Sequence, residues 1–107
     1  MIYLASPYTH PDPAVQEERF HAVCRQAAEV MRCGIRVFSP IAHTHPIAVH
    51  GLPGDWDFWK DYDRAFLEMC AEVLVLMLPG WEESKGVRAE IAIAEELGKP
   101  VRYVDVR

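Results

Sequence analysis

The run Glu72–Leu78, EVLVLML, constrains this chain more than any other stretch. A strand with one face in water alternates apolar and polar side chains, whereas this one is apolar at almost every position. It needs cover on both faces, which is the environment of an inner strand in a parallel sheet. Pro79-Gly80 closes the run and a helix follows, with Ser84 at the N-cap and Val87, Ile91, Ala94 and Leu97 recurring at helical spacing. Pro100–Val106, PVRYVDV, reads as a further strand. Strand, helix, strand in that order is a βαβ unit, and its sheet is parallel.

The first half repeats the alternation. Ile2–Ala5 is a short apolar run stopped by Ser6-Pro7 and reads as a buried strand. Asp12 and Pro13 make an N-cap and first helical position, Phe20, Val23, Ala27, Val30 and Met31 form an apolar stripe, and Gly34 supplies the stop. Ile35–Phe38 is a second strand. The next stretch, SPIAHTHPIAVHGLPGD from Ser39 to Asp55, is rich in proline, glycine and histidine and reads as a long irregular excursion. A loop of that length in a small domain is expected to cover a site. Asp55 then caps a helix with Trp59, Phe66, Leu67 and Cys70 on its apolar side.

These elements predict an α/β fold, a flavodoxin/Rossmann-like three-layer sandwich with a four-stranded parallel sheet in the order 2-1-3-4. At 107 residues the chain is one domain, 1–107. In such sheets ligands bind beyond the carboxyl ends of the strands, where the winding reverses. Here that point falls between the first and third strands, so Ser6 and Tyr8 are expected to share a cleft with Pro79–Gly86.

Two acids interrupt the apolar patterning. Glu90 falls inside the stripe of the helix that starts at Ser84, and Asp63 stands four residues after Trp59 and three before Phe66. Burying a bare charge costs several kcal/mol, so each acid must be paired, hydrogen-bonded or useful; Glu90 has the further option of escaping past the helix end to solvent. The same helix start offers unpaired N–H groups, the Ser84 hydroxyl and Gly86, where a ligand can approach the backbone closely. Lys85 and Arg88 lie in its first turns, where cations oppose the helix dipole. An anionic ligand group such as a phosphate would resolve that conflict, and so would pairing with Glu82, Glu83 or Glu95. Trp81 precedes the helix and is placed either to wall a base or to pack in the core.

Other chemistry is narrowed by elimination. GxGxxG, GxxxxGK[ST], GxSxG, HExxH and the paired HxE and PCxxC signatures are all missing, which removes support for dinucleotide redox, P-loop, serine-hydrolase and zinc-deaminase chemistry. His43, His45 and His50, with Asp55 or Asp57, suggest a metal-dependent hydrolase, but no second closely spaced ligand pair accompanies them. They read better as lid groups that bond a ligand hydroxyl, and neither metal nor cofactor is expected. A formal net charge of −5 argues against a nucleic-acid polymer or an anionic membrane as partner. Cys24, Cys33 and Cys70 read as small buried or half-buried thiols. With no signal-peptide pattern and no long apolar run, a cytoplasmic protein is expected.

Taken together, the IYLASPY strand and loop, a helix with an inward Asp63, an apolar strand, and the S-x-G-x-x-x-E of Ser84, Gly86 and Glu90 resemble the nucleoside 2-deoxyribosyltransferase-like superfamily. Within it the chain is most similar to a short bacterial and phage branch, over nearly its whole length. The resemblance implies that Glu90 is the nucleophile attacking the anomeric carbon of a nucleoside or nucleotide, and that Asp63 orients the sugar and nucleophile. It implies that Tyr8 flanks the sugar or phosphate. Ser84 matches the relatives that hydrolyse deoxynucleoside monophosphates, where the nucleoside transferases carry Asp, and so implies a phosphorylated ligand. Relatives that assemble imply a homo-oligomer.

The chemistry suits these residues on its own terms. Cleaving an N-glycosidic bond passes through an oxocarbenium-like state that one carboxylate can stabilise and trap. Glu90 has to be ionised, which the helix N-terminus is expected to favour against burial. His43, His45 and Asp63 are all candidates to protonate the leaving base, and water or a second base would complete hydrolysis or transfer. The alternative is a module that binds a nucleotide or an ADP-ribose-type ligand without turnover.

Overall fold

Apolar and polar positions sort the chain into four strands and four helices in the computed structural model, which describes residues 1–106. In order these are β1 (Ile2–Ala5), α1 (Pro13–Arg32), β2 (Val37–Phe38), α2 (Pro40–Ala48), α3 (Trp56–Met69), β3 (Glu72–Met77), α4 (Lys85–Glu96) and β4 (Val101–Asp105). A single 3-10 turn, Trp81–Glu83, leads into α4. The sheet is entirely parallel in the order β2-β1-β3-β4. This is the α/β architecture that the alternation of runs predicts.

Strand alternation divides the core into two layers. Tyr3 and Ala5 of β1 and Val73 and Val75 of β3 point to one side, where Leu67, Val87 and Ala94 of α3 and α4 meet them. Leu4 and Leu76 point to the other, against Ala22, Val23 and Ala27 of α1. β1 and β3 are therefore buried on both faces, which is why they read as continuous apolar runs. Pairing runs from Ile2↔Glu72 to Ala5↔Val75 and β3 continues to Met77, so the carboxyl ends of both strands open on the same edge of the sheet. That edge carries Ser6 on one side and the approach to α4 on the other.

The helix ends follow local chemistry. Asp12 Oδ1 accepts from Ala14 N at 2.9 Å with Pro13 as the next residue, so α1 starts where the sequence signals it. Its stripe ends short of the sequence reading, because Met31 is 57% exposed at the far end of the helix. Cys33 is exposed as well, while Cys24 is half-buried and Cys70 buried.

The stretch after β2 departs from expectation. Nine of its residues form α2, where an irregular excursion was expected. Ser39 Oγ accepts from Ala42 N at 3.0 Å, and Pro40 takes a first-turn position where its missing N–H is no loss. Pro46 falls within the helix and removes one interior bond, at a cost of about 3 kcal/mol. Burial of Pro40 and packing of Ile41 on the α1 layer offset that cost. Among the described residues no helix is long and apolar enough to cross a membrane.

Candidate active site

Beyond the carboxyl ends of β1 and β3 lies a cavity of about 380 Å³, a size suited to a small molecule. Its floor is built by α4 and α3. Ser84 caps α4 from an extended backbone, its hydroxyl accepting from Val87 N at 3.2 Å, and this fixes the helix phase that turns Val87, Glu90 and Ala94 inward. Glu90 is 4% exposed. On α3 the inward positions are Asp63 and Leu67, with Asp63 7% exposed. Both acids line the cavity.

Their hydrogen bonding differs. Glu90 Oε2 accepts from the hydroxyl of Tyr3, which is wholly buried under the sheet. Asp63 Oδ1 and Ser6 Oγ are buried without a hydrogen-bond partner among the described residues. Both residues line the cavity, and unsatisfied buried polar atoms are costly. Burial pushes the Glu90 carboxyl up to about 8; the Tyr3 hydroxyl works against that shift and the charge of Asp63 adds to it. Burial alone raises Asp63 to about 7. Tyr3 is held well above the usual phenol range, first by burial and then by Glu90 and Asp63, so it remains a donor. Glu90 is the sixth residue of α4, beyond the first turn where the helix dipole acts, so burial outweighs the N-terminus. Burial thus opposes the ionised Glu90 expected from the helix start.

A family model described as "Domain of unknown function (DUF1937)" matches residues 1–105. The chain belongs to the DUF1937 family. Comparison with curated proteins returns no match.

The roof of the cavity in this DUF1937 domain comes from the N-terminal loop, α2 and the start of α3. Tyr8 Oη is hydrogen-bonded to His45 Nδ1, and His45 Nε2 to Glu17 Oε2 at 2.8 Å. The His45 ring stacks on Phe20 with centroids 4.3 Å apart. Trp56 closes the space over Gly86: a Cβ added to Gly86 would lie 3.5 Å from Trp56 Cε3, so the glycine leaves a slot between the indole and the first turn of α4. Lys85 stands beside this slot, 3.8 Å from Asp57.

Of the residues singled out in the sequence, the cavity brings together Ser6, Tyr8, His45, Asp63, Ser84, Gly86 and Glu90. His43 lies outside, its Nε2 2.9 Å from the Tyr62 hydroxyl and its ring among Phe38 and Phe66. Trp81 packs on Tyr103, centroids 5.5 Å apart, and on the α3–α4 core. Arg88 turns back to donate to the Glu82 carbonyl at 2.7 Å. Three His, Cys, Asp or Glu side chains placed to hold a metal ion are not found among the described residues. Sequence reasoning missed Tyr3, Glu17 and Trp56. Tyr3 had a signal, since a tyrosine in a doubly covered strand needs a partner for its hydroxyl. Glu17 had none, because its link to His45 spans 28 positions and two helices.

Proposed function

We propose that the chain cleaves the N-glycosidic bond of a nucleoside or nucleotide, or transfers its deoxyribosyl group, through a glycosyl-enzyme on Glu90. The observation that carries this reading is a buried carboxyl, held by Tyr3 and set beside the unpartnered Asp63 in a small-molecule cavity. It agrees with the resemblance of the S-x-G-x-x-x-E segment to the 2-deoxyribosyltransferase-like enzymes.

In the first step an ionised Glu90 oxygen bonds to the anomeric carbon as the bond to the base breaks. The base leaves with the electron pair and takes up a proton. In the second, the oxygen of water or a nitrogen of another base attacks the same carbon, and the electrons of the ester bond return to Glu90. Tyr3 donates to the carboxylate throughout, which holds it in place and favours its ionised form. The free acceptor of Asp63 suits a sugar hydroxyl. Ser84, Gly86 and Lys85, at the N-terminus of α4, suit a 5′-phosphate, since N–H groups, a hydroxyl and a cation converge there. A cytoplasmic homo-oligomer completes the reading; exposed Phe58 and Tyr62 on α3 support self-association, which sedimentation would measure.

Incubation with deoxynucleosides and their monophosphates tests the reading: the chain releases free base and Glu90→Ala does not. Release that persists unchanged in Glu90→Ala removes Glu90 as nucleophile. Burial favours a second reading, a binding module without turnover: Glu90 is 4% exposed, which raises its carboxyl and favours the protonated form that is no nucleophile. Tight nucleotide binding without base release, retained in Glu90→Gln, would select it.

A further inference from the structure

The roof of the cavity contains a second chain of polar groups that the glycosyl-transfer step does not use. Tyr8 leaves β1, His45 lies on α2 and Glu17 on α1, and they are linked in that order through both ring nitrogens of the histidine. Tyr8 and His45 line the cavity, whereas the Glu17 side chain is 54% exposed. The His45 side chain is 12% exposed and its ring is fixed by the stack on Phe20. The chain therefore runs from the cavity through a fixed imidazole to a carboxylate in water. His43 offers a contrast: its ring nitrogen meets the Tyr62 hydroxyl, outside the cavity, and among the described residues no carboxylate orders it.

We propose that Glu17, His45 and Tyr8 form a proton relay that supplies the leaving base, an inference that rests on the glycosyl-transfer reading above. Doubly protonated, His45 donates from Nε2 to Glu17 and from Nδ1 to the Tyr8 oxygen, which leaves the phenol O–H free to point into the cavity. As the bond between anomeric carbon and base breaks, the electron pair goes to the base. The Tyr8 proton moves to the base and the Nδ1 proton moves to the Tyr8 oxygen. His45 is left neutral, with its Nε2–H still on Glu17. In hydrolysis the steps reverse: water attacks the anomeric carbon, the ester electrons return to Glu90, a water proton passes to Tyr8, and the Tyr8 proton returns to Nδ1. Tyr8 is the catalytic residue of this relay. Glu17 is a positioning residue that fixes the imidazole orientation and stabilises its charge.

Asp63 is assigned to the sugar hydroxyl, and among the described residues no hydrogen-bonded chain links it to an exposed group. Glu90 is committed as the nucleophile. A relay ending at an exposed carboxylate is refilled from solvent.

The test compares 2′-deoxyguanosine 5′-monophosphate with its N7-methyl derivative, whose base is already cationic and departs without a proton. Tyr8→Phe lowers kcat/KM for the unmethylated nucleotide by about 10²-fold and Glu17→Gln by about tenfold, the range of general acid catalysis. For the methylated nucleotide the losses in both variants shrink to a small fraction of these, and Glu90→Ala loses activity on both substrates. Equal losses on the two substrates, or no loss on either, overturn the relay while Glu90→Ala still upholds the glycosyl-transfer reading. Release of base that Glu90→Ala leaves intact, or no release by the wild type from either nucleotide, overturns both.

Discussion

The floor and the roof of the cavity are held in different ways. The floor belongs to the core: Glu90 sits two turns into α4 between Val87 and Ala94, and its partner Tyr3 is buried at the centre of the sheet. The roof is held by side chains near the surface, with α2 tied to α1 through His45 and Glu17 and to the N-terminal loop through Tyr8. A carboxyl placed by a core cannot move without disturbing the fold, whereas the roof is joined by side-chain bonds between separate elements. The difference assigns the floor to chemistry that needs a fixed atom and the roof to admitting the ligand and exchanging protons.

Breaking the floor should cost the most. Glu90→Ala is expected to reduce base release by roughly 10⁴-fold, the scale of losing a nucleophile that acts in concert with its neighbours. Asp63→Asn keeps the shape but puts an amide where an acceptor is needed; a loss of about 10²-fold in kcat, read by steady-state kinetics, is expected. Tyr3→Phe removes the one hydrogen bond that favours ionised Glu90, so the carboxyl becomes still harder to ionise. At pH 7 the rate falls by about tenfold, in proportion to the smaller ionised fraction of Glu90. For the N7-methyl nucleotide, whose base needs no proton, kcat/KM rises with pH through 7 and levels above about 8, and in Tyr3→Phe the rise moves to higher pH.

Stability gives the opposite sign at the same residue. The Glu90 carboxyl is raised from 4.5 to about 8 by folding, so the folded chain keeps a proton that the unfolded chain releases. Its favourable contribution is fully present below about pH 4.5 and is lost as pH rises toward 8, at about 1.4 kcal/mol for each tenfold fall in proton concentration. Glu90→Gln has no such slope, so its Tm advantage over the wild type should widen between pH 5 and 8. Raised Asp63 produces a similar, shorter slope ending near 7. Smallest of all is Arg88→Ala: its guanidinium caps a carbonyl outside the cavity, and activity should change by less than about twofold.

The fold was legible because β1 and β3 are covered on both faces and their apolar runs are unbroken. Glu90 and Asp63 were legible for the same reason, as acids set where the helical spacing demands apolar side chains. Three features were not. α2 was hidden because Pro46 and the histidines look like loop chemistry, while the helix is stabilised by the Ser39 cap, the burial of Pro40 and the packing of Ile41 on the α1 layer. The sequence singles out Trp81 as a base wall and passes over Trp56, although each stands near the start of a helix; packing sends Trp81 to Tyr103 and Trp56 over Gly86. The protonation of Glu90 depends on how deeply α4 is packed, and helical spacing alone reports direction without depth.

Covalent trapping tests the central claim most directly. A 2′-fluoro-arabinosyl nucleoside or nucleotide slows the second step, and the protein is then quenched, digested and weighed by mass spectrometry. The expected result is one added sugar on the peptide that contains Glu90, and none in Glu90→Gln. A sugar attached elsewhere, or base release with no covalent species on Glu90, would contradict it.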